Sequence, residues 1–471
     1  MVDRAQTDVS DWANFVRRRW RWLLVVLLLG CTVGERLLYG FAHARGDSQV
    51  LSVAHRFPLY LPTTFRTLAR RFGFSERRSD ATTYHNAGLV QTYPLQPLQP
   101  IAREDRLNVV WLVSESLRAD MLTPEIMPNT WALSAEGARF TQHYSGGNGT
   151  RMGIFSMFYG LYGTYWEAFL KARRGPVLVD AILRADYDLR LQTSAHFTYP
   201  EFDKTVWVNV PHEVMLEDDQ DLYWQRDRRN VQRAITWMTE KAAGDTPFFF
   251  FQFFESPHAN YSAPVESVLR TDYLEDFNYA TVDLERDIEL IRNRYINAVH
   301  HLDQQLGLLF ETLNRLGLYE NTLIVITGDH GEEFMEAGHW GHNSSFSQEQ
   351  IRVPLVILAP GLAPVVVDRM TSHLDIAPTV MHMLGVDTPP SAYALGHDLF
   401  GDTKRADTLV SAWSKSALVT QSYKIELSTT PYDLSAAPVT TTDDQPVADP
   451  QQIYAQHAAR LVSLLHEMSI F

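Results

Sequence analysis

The chain has 471 residues, is 45% hydrophobic and carries a formal net charge of −15. This length accommodates one large α/β domain or several smaller ones, and the hydrophobic content is too low for a protein with many membrane spans. The acidic balance, without a basic stripe in the main body, argues against duplex nucleic acid as a partner. The one cysteine, Cys31, excludes an intrachain disulfide and a cysteine-based structural zinc cluster.

A basic stretch followed by an apolar one opens the chain. Four arginines lie within 17–21, the apolar run covers 22–34, and a charged pair interrupts it before 37–42. A spanning helix needs about 20 apolar residues, so the run is short. Three interpretations stay open: a membrane anchor, which we favour, a signal peptide cleaved near 42–44, and a buried helix. By the positive-inside rule, the arginines are cytoplasmic and everything after residue 45 is exported.

Changes in composition predict four regions. We expect a tail and anchor over 1–44, a basic juxtamembrane segment and linker over 45–104, a catalytic domain over 105–400 and a C-terminal subdomain over 401–471. In the second region, "TTFRTLARRFGF" (63–74) spaces apolar residues helically between arginines. That pattern is typical of an interfacial helix touching lipid phosphates, and equally of an ordinary surface helix.

Five apolar runs in the main body have the near-continuous hydrophobicity of strands covered on both faces. They span 107–113, 187–194, 248–254, 322–328 and 353–359. A helical pattern from Ile288 to Leu316 precedes the fourth run, and Gly317 fits its C-terminal stop. This alternation predicts an α/β fold with a mostly parallel central sheet between helices.

The region after residue 400 predicts less. The polar stretch 428–450 is rich in turn residues and indicates a long loop or hairpin. The stretch 451–468 predicts a closing helix. Its expected apolar face consists of Tyr454, Ala458, Leu461 and Leu465. We assign neither segment any chemistry.

Polar residues follow each of the first four apolar runs. The loops read "SESLRAD", "SAHF", "ESPHANY" and "GDHGEEF". Because sites in an open parallel sheet form beyond the carboxyl ends of its strands, residues from these loops are predicted to be neighbours. They are Glu115, His196, His258, Asp329 and His330. If the charged stretch after the fourth run were only a solvated surface loop, the other strands would have no reason to end in acidic and histidine residues as well.

The stretch "GGNGTRMGIF" (146–155) is a Gly-rich loop running into an apolar helix, with Thr150 at the junction. One interpretation makes Thr150 an ordinary helix cap. The other makes it a nucleophile, because a helix N-terminus favours anions and a nearby divalent cation lowers the pKa of a hydroxyl. The predicted acid and histidine neighbours favour the nucleophile. Asn148 and Arg151 on the same loop are candidates for substrate binding, as is His196.

One divalent metal ion is the predicted cofactor. Its candidate ligands are Glu115, Thr150, Asp329 and His330. Three oxygens and one nitrogen suit Zn²⁺ or Mn²⁺ better than Mg²⁺ or Ca²⁺.

Further charged residues crowd the stretch 327–342. His339 and His342 are expected at the mouth of the site, where they could hold substrate oxygens or protonate a leaving group. Either histidine could instead be an ordinary surface residue. Glu332 and Glu333 are expected to be solvated acids without a chemical role.

Several motifs, taken together, resemble the alkaline phosphatase/sulfatase superfamily. They include "NVVWLVSESLRADML", "GNGTRMGIFSMFYGL" and "GDHGEEFMEAGHWGHNSSFSQEQIRVPLVI", in order from residue 107 to about 385. Within it, the chain is similar to inner-membrane sulfatase-like proteins of the YejM type, with lipoteichoic acid synthases and phosphoethanolamine transferases as further relatives. The resemblance implies a sheet between helices and a small C-terminal antiparallel subdomain.

The resemblance also implies roles for individual residues. Glu115 matches the metal carboxylate of the superfamily, Thr150 its threonine nucleophile, and Asp329 with His330 its Asp-His pair. His342 matches the distal histidine of the phosphoethanolamine transferases. His258 matches the histidine that lies on the substrate side of the site in the superfamily. Sulfatases have a cysteine or serine that is oxidised to an aldehyde; threonine could give only a ketone, which argues against that route to sulfate-ester hydrolysis.

These observations predict a membrane-anchored, metal-dependent hydrolase or transferase. It would act in the periplasm, at the bacterial inner membrane, on a phospholipid-derived phosphoryl group such as phosphoethanolamine or phosphoglycerol. Two alternatives stay open. One is a non-catalytic regulator that senses lipid or lipopolysaccharide through the arginine-rich segment 45–80. The other is a sulfatase or phosphatase acting on a soluble substrate.

Overall fold

The computed structural model describes residues 19–20, 22–38, 90–101, 106–279, 281–428 and 438–471. Their contacts separate two units, 1–82 and 83–471. In the first, residues 22–38 form a helix with exposed apolar side chains, such as Leu28. Among the described residues, no helix has both the length and the apolarity to cross a bilayer, so the anchor stays a prediction. The segment 63–74 lies outside the described residues.

An eight-stranded sheet organises the second unit. Its strands are β1 (Asn108–Ser114), β2 (Ala138–Tyr144), β3 (Asp188–Thr193), β4 (Met215–Glu217), β5 (Phe248–Phe254), β6 (Thr322–Gly328), β9 (Leu355–Leu358) and β10 (Val365–Ser372). A separate two-stranded ribbon pairs β7 (Glu333–Phe334) with β8 (Trp340–Gly341). The spatial order is β10-β2-β9-β6-β1-β5-β3-β4. Only β9 runs antiparallel to its neighbours, so the mostly parallel sheet is confirmed.

Helices cover both faces of this sheet. They are α1 (Pro128–Ser134), α2 (Thr150–Tyr159), α3 (Trp166–Ala172), α4 (Val177–Arg184), α5 (Tyr223–Lys241), α6 (Leu284–Arg315), α7 (Gln348–Ile351), α8 (Ile376–Met383) and α9 (Pro450–Glu467). Successive strand side chains point to opposite faces. Trp111 accordingly packs into the core beneath α2, whereas Val110 and Leu112 pack into the core beneath α5 and α6.

Helix α6 follows the predicted periodicity. Its side chains Ile291, Tyr295 and Leu302 are fully buried at helical spacing. Acidic residues in its first turn and Arg315 in its last complement the helix dipole. Gly317 follows with a φ of +70°, the left-handed conformation that ends many helices and that glycine adopts without strain. The helix therefore stops where the sequence predicted.

The C-terminal region forms the small antiparallel sheet implied by the resemblance. Its strands are β11 (Asp407–Ser411), β12 (Lys415–Thr420), β13 (Tyr423–Ser428) and β14 (Val439–Thr441). Helix α9 also forms, and half of its predicted apolar face packs against the core. Tyr454 and Leu461 are partly buried there, beside the buried Ile453 and Leu464. Ala458 and Leu465 are exposed, so the buried face is rotated away from them.

Candidate active site and metal centre

Three adjacent strands, β6, β1 and β5, deliver the acidic and histidine side chains of the site. Glu115 directly follows β1, and Asp329 and His330 directly follow β6. His258 lies four residues beyond β5. The backbone N–H of Glu115 bonds to the last carbonyl of β5 (2.9 Å), and that of Asp329 bonds to the last carbonyl of β1 (3.1 Å). The three loops are therefore held in register at one edge of the sheet.

Thr150 is the first residue of α2, and its side chain faces this edge. The helix N-cap is Gly149, and no side chain caps the helix. Thr150 Oγ1 lies 3.1 Å from Glu115 Oε2 and 3.3 Å from His330 Nε2. The hydroxyl thus contacts the acid and histidine cluster instead of capping its own helix.

A glycine allows α2 to approach the cluster closely. A Cβ atom added at Gly153 would lie 2.1 Å from the carbonyl oxygen of Asp329, a distance that packing does not permit. The hydroxyl of Ser145 also bonds to this carbonyl, at 2.5 Å. Helix α2 and the β6 loop are therefore packed backbone against backbone, which sets the position of Thr150.

Glu115, Asp329 and His330 form a candidate metal centre. One ligand atom from each lies within 4.8 Å of the others. The Nδ1 atom of His330 bonds to the carbonyl of Gly331 at 2.8 Å, which leaves Nε2 to face Glu115 Oε1 at 3.0 Å. Such a second partner is typical of metal-binding histidines. Asp329 Oδ2 is buried without a hydrogen-bond partner among the described residues, as a ligand atom awaiting a cation would be.

The electrostatics of the two carboxylates also fit a cation. Burial and the charge of Glu115 raise the pKa of Asp329 well above its ordinary value. Burial alone would raise the pKa of Glu115 too, but its charge interaction with His330 outweighs burial and lowers it. Two adjacent acids thus share one negative charge, and a divalent ion would favour ionisation of both.

His258 and His342 lie on the other side of Glu115. The ring of His342 is 4.3 Å from that of His330 and 5.9 Å from that of His258, centre to centre. Glu115, His258 and His342 can also bring ligand atoms within 4.8 Å of one another. Burial alone would lower the pKa of His258. The charge of Glu255, which lies 3.0 Å from His258 Nδ1, has the larger effect and raises this pKa to about 10. His258 therefore carries a proton at neutral pH.

Glu332 is buried beside His258 and His342, so the prediction that it is a solvated acid is wrong. It is 1% exposed and accepts from His342 Nδ1 at 2.7 Å, Ser116 Oγ at 3.3 Å and the hydroxyl of Tyr261. Burial raises its pKa, but His342 and these hydrogen bonds outweigh burial and lower it. Glu332 thus orients His342 and leaves its Nε2 to face the site.

Glu333 is also buried, against the same expectation. Its carboxylate accepts from Ser347 Oγ (2.7 Å), Gln350 Nε2 (2.9 Å) and the backbone N–H of His339 (2.8 Å). These bonds close the loop between β7 and β8. The imidazole of His339 itself is 46% exposed and lies 3.6 Å from Glu333. Its predicted contact with substrate stays a prediction.

His196 pairs with residues outside the cluster. It follows β3, which is separated from β1 by β5. Its Nδ1 lies 3.0 Å from Glu217 Oε2, its Nε2 lies 3.8 Å from Asp219, and the side chain is 46% exposed. The structure thus gathers four of the five predicted neighbours, and His196 is not among the residues it brings together as candidate metal ligands.

Asn148 and Arg151 lie on either side of Thr150 in the sequence. Asn148 donates to the carbonyl of Ser345 at 2.8 Å, and its Oδ1 is buried without a partner among the described residues. Arg151 donates from Nε to Glu201 at 2.7 Å. Its guanidinium also contacts Trp413 of the C-terminal sheet, in a region to which the sequence assigned no chemistry. Only a tertiary contact could have revealed that residue.

Comparison with known proteins identifies the family. The sulfatase family model matches residues 107–386, which is more than half of the chain. The chain belongs to the sulfatase family.

Sulfatase-family relatives extend the comparison. The inner membrane protein YejM of Salmonella typhimurium is 25% identical over 399 residues, covering 82% of this chain and 61% of its own length. The chain thus spans less than two thirds of that relative.

Solved structures show the same fold. The phosphonate monoester hydrolase of Agrobacterium radiobacter superposes with a TM-score of 0.60 at 18% identity, covering 77% of this chain and 96% of its own. The lipoteichoic acid synthase LtaP of Listeria monocytogenes gives 0.59 at 17% identity, covering 82% and 97%. At these identities the likeness establishes the alkaline phosphatase-like architecture of the sheet and helices.

Proposed function

We propose that this sulfatase-family chain transfers or hydrolyses a phospholipid-derived phosphoryl group through a covalent intermediate on Thr150, on the periplasmic side of a bacterial inner membrane. One observation carries the proposal. The hydroxyl of Thr150, at a helix N-terminus, lies 3.1 Å from Glu115 and 3.3 Å from His330. A threonine with only a capping role would have no reason to face buried acid and histidine side chains.

The residues around Thr150 fit a divalent ion. Glu115, Asp329 and His330 would hold Zn²⁺ or Mn²⁺ with the threonine hydroxyl as a further ligand. When bound, such an ion supplies Lewis-acid stabilisation of phosphoryl oxygens and lowers the pKa of a neighbouring hydroxyl. The free N–H groups of the first turn of α2 favour the same anionic oxygens.

The chain's own residues account for the proton and bond changes. The oxygen of Thr150 attacks phosphorus and releases its proton to solvent, and the bond from phosphorus to the leaving alcohol breaks. His258, protonated through its pairing with Glu255, donates a proton to the leaving oxygen. An acceptor hydroxyl or water then attacks the phosphorus of the phosphothreonine and gives its proton to His258. The bond from phosphorus to the Thr150 oxygen breaks, and this oxygen takes a proton from solvent, which restores Thr150. His342, oriented by the acid beside it, would hold the reacting oxygens.

The charge balance favours a monoanionic ester. Arg151 is paired with Glu201, and His258 is paired with Glu255. A dication would be balanced by the two metal-site carboxylates. The site therefore offers little surplus positive charge for a dianionic phosphate monoester, whereas a phospholipid diester carries one negative charge. Similarity to an inner membrane protein and to a lipoteichoic acid synthase supports a membrane-derived substrate.

Mass spectrometry of Thr150 tests the proposal. The metal-loaded chain would be incubated with vesicles of phosphatidylglycerol or phosphatidylethanolamine. We expect a phosphoglycerol or phosphoethanolamine adduct on Thr150 and loss of turnover in Thr150→Ala. The matched control is Thr164→Ala, a threonine beyond α2 that should leave turnover intact. A lipid-sensing regulator would give no adduct and would tolerate Thr150→Ala.

A further inference from the structure

Arg151 directly follows the candidate nucleophile, and its guanidinium group contacts two aromatic rings. Its central carbon is 4.9 Å from the ring centre of Tyr199 and 4.6 Å from that of Trp413. The two aromatic residues are 50% and 52% exposed. An ion pair from Nε to Glu201, 2.7 Å long, fixes the third side of the group. Two stacked faces and one ion pair hold the guanidinium in a single orientation.

One nitrogen of this guanidinium has no acceptor. Arg151 is 6% exposed, and its Nη2 is buried without a hydrogen-bond partner among the described residues. A buried charged donor that stays unpaired is costly. The planar fork of arginine matches the oxygens of phosphate and related oxyanions. Because Arg151 directly follows Thr150, an oxyanion of an ester bound at Thr150 is a candidate for the acceptor that Nη2 lacks.

The C-terminal sheet holds one side of this arrangement. The N–H of Ser411, the last residue of β11, donates to the carbonyl of Gly146 at 2.9 Å. The N–H of Asn148 donates to the carbonyl of Ser411 at 3.3 Å. Trp413 lies two residues further on, in the turn before β12. The sheet is thus hydrogen-bonded to the Gly-rich loop that carries the nucleophile, and this fixes Trp413 relative to Thr150.

We propose that Arg151, Tyr199 and Trp413 form a specificity subsite that binds a non-bridging oxygen of the reacting ester and selects a neutral substituent over an ammonium-bearing one. Arg151 donates from Nη2 to the oxygen, and Trp413 and Tyr199 position it. The ring faces that would attract a substrate ammonium already hold the guanidinium, which repels a second cation. Their exposed edges offer apolar contact instead.

This inference rests on the proposed function and narrows it. Of the two candidate groups, phosphoglycerol has a neutral substituent and phosphoethanolamine has an ammonium group. The subsite favours phosphoglycerol.

Calorimetric titration of the full metal-loaded chain with two non-hydrolysable phosphonates tests the subsite; in each, one P–O⁻ group is replaced by a P–methyl group, so that the probe carries one negative charge on phosphorus like a phospholipid diester. Propylphosphonate has a neutral substituent, and 2-aminoethylphosphonate has an ammonium group of similar size. We expect the wild-type chain to bind propylphosphonate more tightly. Arg151→Gln should weaken its binding about tenfold or more, the effect of losing a charge-assisted hydrogen bond, and should remove the preference. Trp413→Ala should weaken it about two- to fivefold, and Trp413→Phe should restore it.

A second arginine on tryptophan stack provides the matched control. Arg139 lies 4.0 Å over the ring of Trp131, on α1. Trp131→Ala removes an equivalent stack and should leave phosphonate affinity unchanged. Equal affinities in the wild type and Arg151→Gln, tighter binding of 2-aminoethylphosphonate, or no binding of either phosphonate would each overturn the subsite.

The two proposals fail separately. An Arg151 effect on affinity without any adduct on Thr150 would overturn the proposed function and leave the subsite standing. An adduct on Thr150 without an effect of Arg151→Gln on affinity would overturn the subsite and leave the proposed function standing.

Discussion

Metal affinity at the candidate centre should rise with pH, and Glu115→Gln should change the pH range over which it rises. Burial and the charge of Glu115 raise the pKa of Asp329 well above its ordinary value. The metal-free pair therefore holds a proton that an ion must displace, because a carboxylate and not its acid binds the ion. Glu115→Gln removes the like charge, so it should lower the pKa of Asp329 towards the value that burial alone sets.

The size of the effect follows from the number of protons released. Displacing one proton makes the affinity rise tenfold per pH unit, or about 1.4 kcal/mol. This rise should extend up to the raised pKa of Asp329 and level off above it, because the site then holds no proton to displace. In Glu115→Gln the rise should end at lower pH. The affinity should also be weaker throughout, by more than the roughly 10- to 100-fold cost of losing an outer partner of a ligand.

Titration calorimetry with Zn²⁺ or Mn²⁺ between about pH 5 and about pH 8 measures both quantities. Buffers with different ionisation enthalpies count the released protons. Glu336→Gln is the matched control, because Glu336 belongs to the same loop as the Asp-His pair but is bound to Arg118. Wild-type affinity that is flat across this range, with no proton released, would refute the reasoning, as would an unchanged profile in Glu115→Gln.

Four further substitutions test the site and the stability of the fold around it. Glu332→Gln should lower turnover of a phosphodiester about 10- to 100-fold with metal content intact, since it disturbs the partner of the distal histidine. Asp375→Asn leaves the buried Arg405 unpaired and should cost about 3–5 kcal/mol in urea unfolding. By contrast, Glu266→Gln in an exposed ion pair should leave the urea midpoint almost unchanged. Gly153→Ala should lower both the melting temperature and turnover, because its Cβ would meet a backbone oxygen at 2.1 Å.

The central strands were predictable because they are buried on both faces. The runs 248–254 and 322–328 coincide with β5 and β6, and residue for residue these strands are buried. In a parallel sheet such strands hold no charged residue until they end, so the first charged residue after each strand marks the site. Glu115 and Asp329 are those residues for β1 and β6. A local pattern therefore located a long-range cluster.

Edge strands and tertiary contacts were not predictable in this way. The first half of β10 is mostly exposed at the edge of the sheet, and its short apolar run 365–367 is followed directly by Asp368 and Arg369, so the sequence did not separate it from a loop. His196 follows a genuine strand, but whether a strand end joins the site depends on the order of strands in space. That order places β5 between β3 and β1. Trp413 reaches Arg151 from a different sheet, and no periodicity records such a contact.

The misjudged acids show what a charged sequence motif conceals. Glu332 and Glu333 look like solvated residues because most adjacent glutamates are. Burying a carboxylate is tolerable only when hydrogen bonds replace its water, and here each acid has such bonds from a separate set of donors. Glu332 accepts hydrogen bonds from His342 and Tyr261, while Glu333 accepts one from Ser347 among others. One acid therefore orients a histidine of the site, and its neighbour holds the loop that carries that histidine. The chemistry of "TGDHGEEFMEAGHWGH" thus depends on donors supplied by distant segments.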